Sequence, residues 1–164
     1  MKTSTFIERC ANGYEGTPRR GTKTVASVMW DGETLYSYGP HYPLLFKVGG
    51  QWVCNDRGHS VTTSKHIGQA RQYSDFNVEL QGSDTSAAAV IYSARAEIKR
   101  KDATIAEALE RQIKRPRYEH VYQRAIDAAE ERIQQLYELI NVENKDVLHT
   151  FEALAETKIV PAWV

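Results

Sequence analysis

The spacing of apolar residues changes at residue 83, and this change limits the possible folds more than any other feature of the chain. Before it, short apolar segments alternate with a period of two between turn residues, as in antiparallel strands. After it, apolar residues recur every three or four positions, as in amphipathic helices. Strands followed by helices predict an α+β fold. We expect an N-terminal antiparallel four-stranded meander with a short helix in residues 1–80, then three to four helices in residues 84–164, forming one compact unit or two closely packed subdomains.

Two turns define the predicted meander. Asp31-Gly32 and Gly49-Gly50 each place residues that tolerate positive φ between apolar segments, which predicts two-residue hairpin turns. In the second hairpin, only one face is assigned to the core. The predicted pairs are Val28 with Leu35, Ser27 with Tyr36, Phe46 with Val53 and Lys47 with Trp52, and the predicted core face of the second hairpin carries Leu44, Phe46, Val48 and Val53.

Capping residues and a proline divide the helical region. Pro116 is expected to end one helix and to begin the next, because proline fits the first turn of a helix but not its interior. A last helix is predicted over residues 145–157, and an apolar tail follows at residues 159–164. The candidate N-caps are Asp84, Thr85 or Ser86 for the first helix and Asp102 or Thr104 for the second.

An apolar stripe follows Pro116 at alternating spacings of four and three residues. Such a stripe packs either on the sheet and the neighbouring helices or on a second copy of the chain. The core interpretation is favoured, and a homodimer through helix 116–140 is the alternative. The stripe consists of Tyr122, Ile126, Ala129, Ile133, Leu136 and Ile140.

Charge is balanced over the whole chain but not along it. The 164 residues carry 21 basic and 21 acidic side chains, which argues against a dedicated duplex-DNA binder. Residues 95–124 have nine Lys or Arg against five Asp or Glu, whereas residues 125–156 have two against eight. The uneven charge is compatible with a basic stripe and suits a protein partner of complementary charge equally well. With two cysteines, no signal-peptide pattern and no long apolar run, we expect a cytoplasmic protein without a membrane span.

Two groups of residues are candidates for partner binding. Aromatic residues of the predicted strands, with cations beside them, form either a stacking platform for a single-stranded nucleic acid or ordinary strand packing. Basic residues of the helical half form either a solvated cluster or a surface for phosphates or an acidic protein. The first group comprises Trp30, Tyr36, Tyr38, Tyr42 and Trp52 with Lys47, Arg57, Arg19 and Arg20, and the second comprises Lys99, Arg100, Lys101, Arg111, Lys114, Arg115 and Arg117.

The segment Ser60-Val-Thr-Thr-Ser-Lys-His66 precedes a helix predicted over residues 65–73. Its members Thr62, Thr63, Ser64, Lys65 and His66 suit a helix cap, since hydroxyls satisfy free N–H groups and the positive end of a helix attracts phosphate. The glycines of a P-loop are missing, so the cap interpretation is favoured over nucleotide binding. An enzyme centred on Ser64, Lys65 and His66 is a further alternative.

Metal-ligand residue types also occur, but at unfavourable spacings. Cys54, His59 and His66, with His41 before them, lie farther apart than the ligands of structural zinc sites usually do. We therefore predict no metal and no cofactor.

The strand Leu35-Tyr-Ser-Tyr-Gly-Pro40 and the later string His59-Ser-Val-Thr-Thr-Ser-Lys-His66 together resemble small uncharacterised proteins common in bacteriophage genomes. The resemblance covers residues 20–73, and the chain departs from it at His59, where an aromatic is expected, and at Ile67, where glutamine is expected. It implies a phage-type protein acting in the cytoplasm of a bacterial host. Small phage proteins of this kind often bind host or defence machinery, as anti-CRISPR proteins do.

The residues and the resemblance together predict a non-enzymatic accessory protein that binds a host protein or a defence complex as an inhibitor or adaptor. The alternative is a single-stranded nucleic-acid-binding protein that uses the sheet aromatics and the basic helix ends.

Overall fold

The computed structural model describes residues 2–12, 23–25, 27–58 and 60–141. The predicted last helix at 145–157 and the apolar tail lie outside the described residues, as do Arg19, Arg20 and His59.

The α+β class is confirmed, and the sheet is larger than the predicted four-stranded meander. It contains six short strands in sequence order, of which the first five are antiparallel neighbours and the last pairs parallel to the fifth. The strands are β1 (Lys23–Val25), β2 (Val28–Trp30), β3 (Leu35–Ser37), β4 (Pro43–Val48), β5 (Gln51–Asn55) and β6 (Phe76–Val78). The helices are α1 (Thr3–Ala11), α2 (Val61–Arg71), α3 (Ala87–Lys114) and α4 (Glu119–Asn141), with a 3₁₀ turn at Pro116–Tyr118.

The two hairpins differ in how closely they follow the prediction. The turn at Gly49-Gly50 is confirmed, with Lys47 opposite Trp52 and Phe46 opposite Val53. The first hairpin is shifted, because Trp30 lies opposite Leu35 and Val28 lies opposite Ser37. Its loop is longer than two residues since the Asp31 carboxylate accepts hydrogen bonds from the N–H groups of Glu33 and Thr34 at 2.9 and 2.7 Å. The shift is two residues, so the same side chains share a face of the sheet in the predicted and the observed register.

Helices cover both faces of the sheet and create two apolar clusters. The prediction of a single core face on the second hairpin is therefore wrong: Leu45 and Cys54 are as fully buried as Val53 on the opposite face. The first cluster joins the sheet to α1 and α2, and the second joins it to α3 and α4. The first cluster includes Phe6, Ile7, Cys10, Trp30, Leu35, Leu45, Cys54, Ile67 and Ala70, and the second includes Phe46, Val53, Val78, Leu80, Val90, Ile91, Ala94, Ile98, Leu136, Leu139 and Ile140.

The third helix is continuous where two helices were predicted. Ser86 is its N-cap, and the Ser86 hydroxyl accepts a hydrogen bond from the Ala89 N–H at 3.2 Å. The predicted second cap at Asp102 or Thr104 is wrong, because the Thr104 hydroxyl donates to the Arg100 carbonyl at 3.1 Å within the helix. Pro116 acts as expected: α3 ends at Lys114 and the proline begins the 3₁₀ turn.

The stripe on α4 lies inside the chain. Ile126, Ala129, Leu136 and Ile140 are buried, and Ile133 packs against the second cluster. The apolar face of α4 thus covers α3 and the sheet, as the core interpretation predicted. Among the described residues, no helix has an apolar stretch long enough to cross a membrane.

Candidate functional site

The hairpin formed by α3 and α4 extends beyond the sheet. The second cluster contains no residue between Ile98 and Ile133 among its members or the hydrophobics packed against it. At a rise of 1.5 Å per residue, the part of α3 after Ile98 is about 24 Å long. Along that length, the buried residues are Ala108 of α3 and Ile126 and Ala129 of α4, which lie between the two helices. This half of the hairpin is therefore held mainly by its own helix pair.

The far end of the hairpin exposes large apolar side chains. We define the hairpin tip as residues 109–124, which contain the end of α3, the 3₁₀ turn and the start of α4. Ile113 is 81% exposed, and Leu109, Tyr118 and Val121 are 48%, 50% and 50% exposed. Exposed apolar residues are normal when scattered singly, but several on one small tip are characteristic of an interaction surface.

Cations surround these apolar residues. The hairpin tip carries five Arg or Lys and two acidic residues, Glu110 and Glu119. Arg111 and Lys114 form ion pairs with Glu107 and Glu110 one turn earlier on α3. In contrast, Arg115, Arg117 and Arg124 form no ion pair within the described part of the chain. Their charge is available to a partner.

The structure separates the basic residues that the sequence grouped together. Arg111, Lys114, Arg115 and Arg117 lie at the hairpin tip. Lys99, Arg100 and Lys101 lie nearer the sheet, about 15 Å back along α3 from Arg111. Arg100 is further tied to the end of β6 by an ion pair with Glu79 at 2.8 Å.

The sheet aromatics do not form an open stacking platform. Trp30 and Tyr42 are buried, and the Tyr42 hydroxyl donates to the carbonyl of Asn55 at 3.1 Å. Trp52 is partly buried against the first cluster, and the Lys47 ammonium lies 5.1 Å from the centre of its ring. Tyr38 is the aromatic of this group with an exposed ring. The bases of a single strand would therefore find isolated rings rather than a row of them.

The hydroxyl-rich segment begins its helix four residues earlier than predicted. Ser60 is the N-cap of α2, and its hydroxyl accepts from the Thr63 N–H at 3.1 Å. The predicted cap residues 62–66 thus belong to the helix itself, where Ser64 and Lys65 are exposed and Thr63 and His66 are buried. Val61 is 90% exposed and contributes nothing to the core.

A chain of hydrogen bonds joins this helix start to β3. The Ser60 hydroxyl donates to Thr63 Oγ1 at 3.0 Å, Thr63 Oγ1 lies 3.2 Å from Ser37 Oγ, and Ser37 Oγ lies 2.8 Å from His66 Nδ1. Each hydroxyl has one proton, so we assign the order Ser60 to Thr63 to Ser37 to Nδ1. His66 then carries its proton on Nε2. Burial, with the nearby charge of Lys65, lowers the pKa of His66 below its usual value and favours this neutral form.

We expect the protein to lose stability as the pH falls below about 6.5, the ordinary pKa of histidine. The lowered pKa of His66 means that the unfolded chain takes up a proton before the folded chain does, so the stabilisation is complete above this pH and declines below it. Urea unfolding at several pH values between about pH 7.5 and pH 5 measures the slope of the free energy of unfolding against pH. His66→Gln should flatten it, whereas the exposed control His120→Gln should not. Equal slopes in the two variants would contradict the assignment.

A buried ion network joins the sheet to the hairpin, and sequence reasoning did not find it. Arg132 of α4 donates to both oxygens of Asp56 at 2.9 and 2.7 Å and to Glu97 of α3 at 2.6 Å. The Asp56 and Glu97 side chains are 7% and 1% exposed. Burial alone would lower the pKa of Arg132, but its hydrogen bonds and charge interactions with Asp56 and Glu97 raise it. The second oxygen of Glu97 accepts from the Glu79 N–H at 3.1 Å.

Two described groups with reactive chemistry, the Ser37 hydroxyl and the Cys54 thiol, are buried. Ser37, the hydroxyl nearest an imidazole, is almost fully buried and thus closed to a substrate. Burial, followed by the charge of Asp56, raises the pKa of the Cys54 thiol to about 12, which keeps it protonated. No three His, Cys, Asp or Glu residues within the described ranges are close enough to hold a metal ion.

The chain was compared with protein-family models, curated proteins and solved structures, and none of them matches it. Function is therefore inferred from the geometry of the hairpin tip and from the chemistry of the remaining surface.

Proposed function

We propose that this chain is a non-enzymatic binding protein that engages an acidic protein partner through the tip of its helical hairpin. The observation that carries the proposal is the mixture of exposed apolar side chains and unpaired arginines at the far end of the hairpin. Ile113 and Val121 supply apolar area, and Arg115 and Arg117 supply charge without an internal partner. Protein interfaces combine an apolar centre with a charged rim in the same way.

A protein fits this surface better than a nucleic acid does. Nucleic-acid surfaces consist mainly of cations and stacking rings, and the phosphate backbone offers little for an isoleucine to contact. Ile113 is the most exposed side chain of the four, so an apolar pocket on the partner is needed to remove it from water. A pocket with an acidic rim would satisfy both kinds of residue.

The resemblance of residues 20–73 to bacteriophage proteins suggests the class of partner. Under this proposal the chain binds a host protein or a defence complex in the bacterial cytoplasm and acts by stoichiometric blocking or bridging. The hairpin of α3 and α4 suits that role, because its tip can enter a cleft of the partner while the sheet stays outside the interface. An anti-CRISPR-like inhibitor is one form that such a protein takes.

We expect Ile113→Gln to weaken partner capture by about tenfold, which corresponds to about 1.4 kcal/mol for one well-packed apolar contact. Glutamine preserves helix propensity, so α3 should remain folded. The measurement is a quantitative pull-down of the tagged chain from bacterial lysate, with and without nuclease. Val61→Gln is the matched control, since Val61 is equally apolar and 90% exposed but lies on α2.

The arginines provide a second variant with a different signature. Replacing Arg115 and Arg117 with Gln should weaken capture most at low salt, because exposed charges are screened as salt increases. The proposal fails if Ile113→Gln and Val61→Gln bind equally well, or if nuclease abolishes capture by the wild-type chain. The second result would favour the nucleic-acid alternative.

A further inference from the structure

A groove of about 290 Å³ lies on one side of the hairpin, beside the part that packs on the sheet. Ile98 of α3 and Ile140 of α4 line it and are almost fully buried, so they form an apolar floor. The ring of Tyr137 also lines the groove and is about half exposed. The groove thus offers apolar surface to side chains from outside the helix pair.

The same side of α3 carries a further apolar contact towards the hairpin tip. Asp102 and Leu109 follow Ile98 by four and eleven residues, and such spacings place all three on one side of a helix. Leu109 is about half exposed. An elongated occupant that begins in the groove therefore meets a second apolar side chain farther along α3.

The charges of the groove favour an occupant with acidic side chains. Arg95 and Lys99 line it, and Asp102 is the carboxylate among the described lining residues. Lys99 is exposed and forms no ion pair with any described residue. The groove is thus complementary to a segment that has both apolar and acidic side chains.

The chain itself contains such a segment at residues 145–157, which lie outside the described residues. The spacing of its apolar residues predicts an amphipathic helix. Residues 143–156 carry four Asp or Glu and one Lys. The apolar side of the predicted helix consists of Val147, Leu148, Phe151 and Leu154.

The connection between the groove and this segment is short. Ile140 lines the groove and α4 ends at Asn141, so residues 142–144 separate the groove from the segment. Three residues span at most about 11 Å, and connections of this length join antiparallel helices. A short tether also gives the segment an effective concentration on the order of millimolar beside the groove, which favours it over a free partner.

We propose that the groove holds residues 145–157 of the same chain, packed as a third helix antiparallel to α4. Phe151 and its apolar neighbours cover Ile98 and Ile140, and the acidic side chains of the segment face Lys99. The occupant is therefore a part of this chain rather than a separate ligand.

The length of the segment determines how much of the hairpin it covers. A helix of 13 residues is about 20 Å long, whereas Ile113 lies about 22 Å along α3 from Ile98. The segment reaches Leu109 and ends short of Ile113. The inference goes beyond the proposed function and does not depend on it, because it restricts the open apolar surface of the hairpin to the end of the tip.

A spin label beside the groove tests the proposal in the full chain. The two cysteines, Cys10 and Cys54, are buried, so Asp102→Cys supplies an accessible thiol for the label. We expect this label to broaden the amide NMR resonances of residues 145–157. The same label at Lys65→Cys, an exposed position on α2 at the other face of the sheet, should leave them sharp.

Variants of the segment test which of its sides enters the groove. Phe151→Gln in the Asp102→Cys chain should remove the broadening, because glutamine cannot replace the apolar contact with the floor. His149→Gln is the matched control, since His149 lies on the opposite side of the predicted helix, and it should leave the broadening unchanged. Ile113→Gln should also leave it unchanged, which separates this test from that of the proposed function.

The proposal is overturned if the label at Asp102→Cys leaves residues 145–157 sharp, or if Phe151→Gln and His149→Gln broaden equally. A mixture of spin-labelled chains with isotope-labelled chains that lack the new cysteine identifies the occupant. No broadening in the mixture would support docking within one chain. Broadening there would place the segment in the groove of a second copy and would overturn the proposal as well.

Discussion

Replacing Arg132 with Met should lower the free energy of unfolding by about 3–5 kcal/mol, the usual cost of removing one partner from a buried ion pair. The substitution leaves Asp56 and Glu97 almost fully buried without the guanidinium that donates three hydrogen bonds to them. Methionine has similar volume, so the loss comes from the weakened pairing of the carboxylates rather than from a cavity. Asp56 retains only its contact with Arg71 at 3.3 Å, and Glu97 retains only the hydrogen bond from the Glu79 N–H. Urea unfolding at neutral pH, followed by circular dichroism, measures the effect.

An exposed ion pair in the same region provides the control. Arg100→Met breaks the ion pair between Arg100 and Glu79, whose side chains are 47% and 37% exposed. It should lower the free energy of unfolding by less than about 1 kcal/mol. Arg132→Lys should fall between the two, because one ammonium cannot reproduce the paired contacts of a guanidinium with Asp56. Similar losses in Arg132→Met and Arg100→Met would show that the network contributes no more than a surface pair does.

This network shows where sequence reasoning reached its limit. Arg132 lies 76 residues from Asp56 and 35 from Glu97, and no local pattern relates such positions. Arg132 was counted as one of two cations in an acidic segment, although the fold encloses it. Buried charge depends on which elements meet, and the sequence does not specify that directly.

Turns and helix ends were predicted correctly where a single residue type determines the backbone conformation. Gly49-Gly50 fixed the second hairpin, and Pro116 ended α3 as expected. Predictions failed where two local options have similar energies. Asp31 extended the first loop through its own side chain, and Thr104 bonded within α3 instead of capping a new helix. The strand β6 has three residues, too few to show an alternating pattern.

The candidate sites were predicted in part. The sequence identified four of the five basic residues of the hairpin tip, all except Arg124, because charge can be counted along a chain. It did not identify the apolar residues among them as exposed, since Leu109 and Ile113 have the spacing of a core face. These residues lie beyond the sheet because α3 continues as one helix, and the spacing of its apolar residues does not show this. His66 was recognised as part of an unusual string, but its contact with Ser37 required the fold.

Replacing Leu136 with Ala should lower the free energy of unfolding by about 2–5 kcal/mol, since the side chain is fully buried between α4, α3 and the sheet. Its neighbour Tyr137 is about half exposed, so Tyr137→Ala should change the free energy by less than about 1 kcal/mol. These two variants compare the buried and the exposed side of α4 at adjacent positions. Alanine favours the helix in both variants, and thus the difference reports packing alone.

The same unfolding experiment, repeated at two protein concentrations, tests whether the stripe on α4 acts within one chain. If Leu136 packs inside the chain, the unfolding midpoints of both variants and of wild type should be independent of concentration, because no subunit dissociates. A wild-type midpoint that rises with concentration, together with its loss in Leu136→Ala, would instead favour the homodimer through helix 116–140. The stripe of each chain would then pack against the other chain rather than against its own sheet.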